Sequence, residues 1–315
     1  MKILFMGTPD FAVPTLEALI ENGYEICGVV TQPDKPRGRH YTLTPPPVKQ
    51  AAMAHGIPFY QPSTLRDEAF ADLLAALDPE MIVVVAYGKL LPKNVLDYPH
   101  FGCVNLHGSL LPAYRGAAPM QRAIIAGEKK TGVTTMYMAE GLDTGDMLEK
   151  AEIPIGEEDD FETVHDKLAQ LGAELTVSTV TKLCMGILHG TPQSEEGASY
   201  AAKIEKEDCR LDFTRSAEEL HDLIRGLCPM PLAYTTLGGR ILKIVSSKVL
   251  CHTKKNLGIP GSVISLDDGM IAVECGASIL GITALIPEGK KQMSAAAFIN
   301  GRGVAKGDIL GENAG

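Results

Sequence analysis

Asn105 and His107 stand two apart in CVNLHG (103–108), a run whose other side chains are apolar. In a strand this pair projects to one face, while Val104 and Leu106 point to the other. A polar pair at the end of an apolar strand is costly unless it faces a cleft. Gly108 then breaks the strand and lets a ligand approach the backbone. Farther on, MAEGLDTGDML (138–148) carries Asp143 and Asp146 in a glycine-bearing loop. A carboxylate there can reach the imidazole of His107 and set its tautomer and basicity. An amide donor, an imidazole and a carboxylate together suit acid/base or acyl-transfer chemistry. Each residue also has a plainer role open to it. Asn105 can be a strand-end turn former, and both aspartates can be the turn residues of a D-T-G-D hairpin. The other seven histidines (His40, His55, His100, His165, His189, His221 and His252) read as surface or satisfied core residues.

Positioning such groups is the work of the surrounding elements. KILFM (2–6), ICGVVT (26–31), IPFYQ (57–61), MIVVVAYG (81–88), CVNLHG and GVTTMYM (132–138) have the β-branched or apolar character of strands. Helical patterns lie between them, and from Phe161 a helix sets Val164, Leu168, Leu171 and Leu175 on one stripe. This alternation predicts a Rossmann-like α/β domain with an open, mostly parallel sheet, whose ligands bind beyond the carboxyl ends of the strands. The first turn, GTPD, lacks the G-x-G-x-x-G of dinucleotide binding, which disfavours a nicotinamide enzyme. HGTPQSEEGAS (189–199) is polar and Gly/Pro-bearing, so it reads as linker. One helix (217–227) and five or six short strands follow, the pattern of a small OB-like β-barrel. The expected division is 1–189 for the catalytic domain, 190–208 for the linker and 209–315 for the barrel.

Composition limits the possibilities. The chain has 315 residues and a net charge of −10, with seven scattered cysteines and no C-x-x-C pair. That cysteine set predicts reduced thiols in a cytoplasmic protein, without zinc or a disulfide framework, and no metal is expected. No run offers the roughly 20 apolar residues of a membrane helix. The acidity belongs to residues 1–204, with 16 Lys/Arg against 26 Asp/Glu, while residues 205–315 carry 13 of each. The second part can therefore approach a polyanion without a charge penalty.

NLHGSLLP (105–112), YRGAAP (114–119) and GLDTGDML (141–148) closely resemble the folate-dependent formyltransferase family, and the likeness runs over nearly the whole chain. The resemblance implies Asn105, His107 and Asp143 as catalytic positions. It implies 10-formyltetrahydrofolate as co-substrate, bound by Ser109, Leu110, Leu111 and Pro112 and by the backbone of Val85, Ala86, Tyr87 and Gly88. GTPDFA (7–12), the QPD-x-P-x-GR loop (32–39) and GKKQMSAAAF (289–298) point to the branch that formylates initiator methionyl-tRNA, with Arg39 at the tRNA acceptor end and the barrel contacting the tRNA arm. A monomer is expected. His107 acts either as base or as oxyanion donor on this reading. The rival acceptors are an amino sugar nucleotide or glycinamide ribonucleotide; the remaining alternatives are transfer to water or a non-catalytic binding role.

Overall fold

A computed structural model of the chain describes residues 1–37, 42–251 and 258–312. It divides into two compact units: residues 1–119, 130–153 and 165–201 form one, and residues 120–129, 154–164 and 202–315 the other. The division falls elsewhere than the composition suggests. Two short inner segments belong to the second unit, and 190–201 is built into the first.

In chain order the first part runs β1 (Lys2–Gly7), α1 (Val13–Glu21), β2 (Glu25–Val30), β3 (Lys35–Arg37), β4 (Thr42–Thr44), α2 (Pro47–Ala54), β5 (Phe59–Tyr60), α3 (Glu68–Leu77) and β6 (Met81–Val85). It continues with α4 (Lys93–Leu96), β7 (Cys103–His107), β8 (Arg115–Gly116), α5 (Pro119–Ile125), β9 (Lys130–Tyr137), β10 (Met147–Pro154), α6 (Phe161–Cys184) and β11 (Tyr200–Ala201). The main sheet has the order β10-β9-β7-β6-β1-β2-β5. β5, β2, β1, β6 and β7 pair in parallel, and β9 joins β7 antiparallel. The Rossmann-like, mostly parallel sheet expected from the alternation is present.

Its central strands are buried on both faces, β6 and β7 throughout, which is why they read as near-continuous apolar runs. β10 escaped the sequence reading because MLEKAEIP alternates half-buried and exposed positions, as a polar edge strand does. The α6 stripe also differs from expectation. Val164 and Leu168 are buried, but Leu171 and Leu175 are only half-buried. Small residues replace them at the contact: a Cβ at Gly172 would lie 2.6 Å from the Leu106 side chain, so the helix needs glycine there to approach β7. Leu106 thus faces α6, which leaves the opposite face of β7 to Asn105 and His107.

The second unit contains α7 (Ala217–Gly226), β12 (Ala233–Leu237), β13 (Arg240–Cys251), β14 (Val263–Ser265), β15 (Ile271–Glu274), β16 (Ile279–Pro287), β17 (Met293–Ser294) and α8 (Ala295–Asn300). α7 starts with a capping box, Ser216 and Glu219 exchanging hydrogen bonds with each other's backbone N–H. The strands form an antiparallel half-barrel of order β12-β13-β16-β15-β14, with β17 on β16. The tail bridges its open side: Gly311 N–H donates to Thr236 O, Leu310 N–H to Gly261 O, and Val263 N–H to Asp308 O. Leu220, Ile224, Ile244, Val273, Ile282 and Leu285 lie in the core so enclosed. Among the described residues no helix is long and apolar enough to cross a membrane.

Candidate active site

β7 delivers the amide and the imidazole. Asn105 pairs with Val84 of β6 and Met136 of β9, and His107 with Thr134. Both are buried, at 9% and 6% exposure. Among the described residues no hydrogen bond engages the Asn105 amide, so its N–H groups are available to a ligand. His107 Nε2 lies 2.9 Å from the backbone oxygen of Tyr114. A carbonyl only accepts, so this contact places the proton on Nε2 and leaves Nδ1 as the ring's free nitrogen. Nδ1 faces Asp143 Oδ2 at 3.6 Å, within ion-pair range but longer than a hydrogen bond.

Asp143 holds that place in a left-handed turn, φ +52°, a conformation aspartate tolerates better than most residues. Its Oδ2 accepts the Gly116 N–H at 2.8 Å. Asp146, the other acidic candidate, is exposed and packs beside Gly190, where an added Cβ would lie 2.7 Å from the Asp146 Cβ. Of the two aspartates, the fold brings Asp143 to the imidazole.

The loop after β7 is pinned from below. Thr134 Oγ1 donates to Ser109 O at 2.7 Å and accepts the Leu111 N–H at 3.1 Å. Ser109 Oγ donates to Ala113 O at 2.7 Å, and Lys150 Nζ donates to Leu111 O. Burial holds the Lys150 ammonium below its usual value. Ser109 and Leu111 are buried, Leu110 and Pro112 half-buried, and the Leu111–Pro112 peptide is cis. Leu110 packs over Gly132, where a Cβ would come within 2.5 Å of it.

The end of β6 is the neighbouring wall. Ala86 (φ +47°) and Gly88 (φ +87°) both have positive φ and are exposed. Val85 is buried, and the Tyr87 ring lies in the core with Leu4, Phe70 and Leu74. Its hydroxyl has no hydrogen-bond partner among the described residues and is pushed up to about 12 by burial. Tyr87 O accepts from Thr8 Oγ1 and Gln32 Nε2, both at 3.2 Å, which ties together the ends of β1, β2 and β6. Arg39 lies outside the described residues. The root of its loop is fastened by Asp34, which accepts Lys49 Nζ at 2.8 Å and Gln61 Nε2 at 2.8 Å. Those bonds, Lys49 first, hold the Asp34 carboxyl below its ordinary value. Among the described residues no group of three or more His, Cys, Asp or Glu is arranged to hold a metal ion.

Sequence reading missed Arg115, Gln193 and Ser199. Arg115 is 1% exposed, and its Nε donates to Gln193 Oε1 at 3.0 Å. Gln193 Nε2 donates to both Asp143 O and Gly145 O, each at 2.8 Å. Ser199 Oγ accepts the Tyr114 N–H at 2.9 Å. Gln193 and Ser199 sit in the stretch whose polarity suggested a linker; those polar groups bond to protein backbone and to the Arg115 side chain instead. The one signal in the sequence was the arginine inside YRGAAP.

The formyl transferase family profile matches residues 1–180, and the profile of the formyl transferase C-terminal domain matches 203–303. The chain belongs to the formyltransferase family. Within it, the chain is 48% identical to the methionyl-tRNA formyltransferase of Bacillus subtilis (strain 168) over 99% of its own length and 98% of that protein. It is 47% identical to the methionyl-tRNA formyltransferase of Pelobacter propionicus, covering 98% and 96% of the two chains. Among solved structures, the fold resembles an N-formyltransferase from Helicobacter canadensis in complex with folinic acid and dTDP-3-aminofucose. The TM-score is 0.67 at 17% identity, covering 90% of this chain and 99% of that one. It also resembles HypX from Aquifex aeolicus in complex with tetrahydrofolic acid, at TM-score 0.65 and 17% identity over 95% of this chain and 47% of that one. The two structural likenesses concern the fold alone.

Proposed function

We propose that this formyltransferase transfers the formyl group of 10-formyltetrahydrofolate to the α-amino group of initiator methionyl-tRNA. It does so as a monomer in the cytoplasm, where its seven cysteines stay reduced. The observation that carries the chemistry is the state of His107. Its Nε2–H is committed to Tyr114 O, its free Nδ1 faces Asp143, and the unengaged amide of Asn105 lies on the same strand face.

The amine nitrogen attacks the formyl carbon, and the carbonyl oxygen becomes an oxyanion. Asn105 donates an N–H to that oxygen as charge develops, in a site where burial strengthens the interaction. Nδ1 of His107 takes the proton shed by the amine, and Asp143 pairs with the imidazolium that forms. The tetrahedral centre then collapses, breaking its bond to the folate nitrogen, which leaves with the proton returned by the His107 imidazolium, so that His107 ends neutral. The 3.6 Å gap between Nδ1 and Asp143 is compatible with contacts that tighten only when substrate is bound. Assigning the base role to His107 makes Asn105 the principal oxyanion donor.

The folate lies along Ser109, Leu110, Leu111 and Pro112 and the backbone of Val85, Ala86, Tyr87 and Gly88; Leu110, Pro112, Ala86 and Gly88 are the more exposed of these. Arg39 engages the tRNA acceptor end. The near-full-length identity to named methionyl-tRNA formyltransferases supports this acceptor over a sugar nucleotide. Purified protein given 10-formyltetrahydrofolate with methionyl-tRNA, an amino sugar nucleotide, glycinamide ribonucleotide or water alone tests it. Formyl-methionyl-tRNA is the expected product, and Asn105→Ala or His107→Ala lowers kcat about a hundredfold. Turnover with another acceptor and none with methionyl-tRNA refutes the acceptor; near-native turnover of either variant removes that residue from the mechanism.

A further inference from the structure

Residues 190–201 cross the first unit as a strap. Thr191 forms a β-bridge with Met147, and Tyr200–Ala201 pair with Arg115–Gly116. Between these anchors lies Gln193, whose amide is fully used. Its two N–H groups go to Asp143 O and Gly145 O, and its oxygen accepts Arg115 Nε–H. Arginine offers only donors, so the amide orientation is settled by its partner. Arg115 is itself buried at 1% exposure, and both its terminal nitrogens donate to Glu195 Oε1, at 3.2 and 3.3 Å. Its neighbour Gly116 gives its N–H to the Asp143 carboxylate.

We propose that Gln193 is a positioning residue for Asp143, and that Arg115 sets it. This rests on the role given to Asp143 under Proposed function. A non-glycine residue in a left-handed turn persists only where its surroundings over-determine it. Asp143 at φ +52° is determined from two sides: Gly116 takes the carboxylate, and Gln193 takes the carbonyls at and just beyond the turn. Both supports lead back to the Arg115–Gly116 dipeptide. The strap also serves the other nitrogen of the imidazole. Ser199 holds the Tyr114 N–H, and Tyr114 O receives the Nε2–H of His107. One segment therefore fixes both groups between which His107 is suspended. Of the neutral side chains, glutamine combines this reach with an acceptor for Arg115 and two donors for the carbonyls.

A double-mutant cycle with formylation of methionyl-tRNA as readout tests the proposal. Gln193→Met keeps length and removes all three bonds. Gln193→Glu keeps the acceptor for Arg115 but, when ionised, has no N–H for the two carbonyls. Each variant lowers kcat about tenfold or more, with KM for both substrates about unchanged. In an Asp143→Asn background Gln193→Met costs nothing further, whereas in an Asn105→Ala background it costs as much as in the native chain. If Gln193→Met fails to fold, Gln193→Glu carries the cycle. An equal loss with and without an intact Asp143, or no loss at all, overturns the positioning role while leaving Asp143 in the mechanism. Near-native turnover of Asp143→Asn overturns the reading of Asp143, and this proposal with it.

Discussion

Thr134 offers a direct test of how the loop 109–112 is held. Its hydroxyl makes two hydrogen bonds, donating to Ser109 O and accepting from Leu111 N–H, and its side chain is fully buried. Thr134→Val preserves shape but leaves a carbonyl and an N–H without a partner. Each such group costs about 1–3 kcal/mol when buried, so the pair costs about 2–4 kcal/mol after some loop relaxation. Thr134→Ser keeps the hydroxyl and loses one methyl, for about 1 kcal/mol. Polar satisfaction therefore ranks Ser above Val in stability, whereas a loop held by apolar packing alone gives the reverse order. Urea denaturation of the native chain and both variants reads the difference as a shift in midpoint at constant slope. The KM for 10-formyltetrahydrofolate rises in Thr134→Val and stays near native in Thr134→Ser. Equal or greater stability of the Val variant refutes the reasoning.

Arg39→Ala lowers kcat/KM for methionyl-tRNA without changing folate binding, and Arg39→Lys restores only part of it, because lysine lacks the planar guanidinium fork; unchanged kcat/KM removes the tRNA contact. Salt dependence of the same kinetics is shallow, since few basic residues lie in that loop. Burial pushes the Glu149 carboxyl up, but bonds from Lys182, Thr179 and Ser178 outweigh it and hold the group below its ordinary value. The stability it contributes is therefore fully present above its unfolded pKa of about 4.3 and is lost as pH falls through the lower folded value. Glu149→Gln is accordingly less stable than the native chain at neutral pH, with the gap closing in acid, as urea titrations at both pH values read. Burial raises the Cys103 and Cys275 thiols to about 12. Alkylation of the native protein near pH 8 spares both and modifies the exposed Cys184 faster, read by peptide mass.

Local pattern carried much of this protein. The alternation of apolar runs and helical stripes specifies a mostly parallel sheet because side-chain period and burial are properties of neighbouring residues. The two-residue spacing of Asn105 and His107 likewise puts them on one face of β7, whatever lies across from it. Short strands punctuated by Gly and Pro announce the half-barrel for the same reason. What the chain alone left open depends on segments that meet only after folding. Asp143 and Asp146 are equivalent by type and spacing, and the left-handed turn together with Gly116 N–H, 27 residues away, selects between them. The tail residues 308–311 look like an ordinary terminus until they bridge β12 and β14. The stretch 190–201 has a linker's composition because hydrogen-bonding side chains look alike whether they face water or a distant carbonyl. Only the tertiary structure distinguishes the two, by placing Gln193 against Asp143 and Arg115, 50 and 78 residues away.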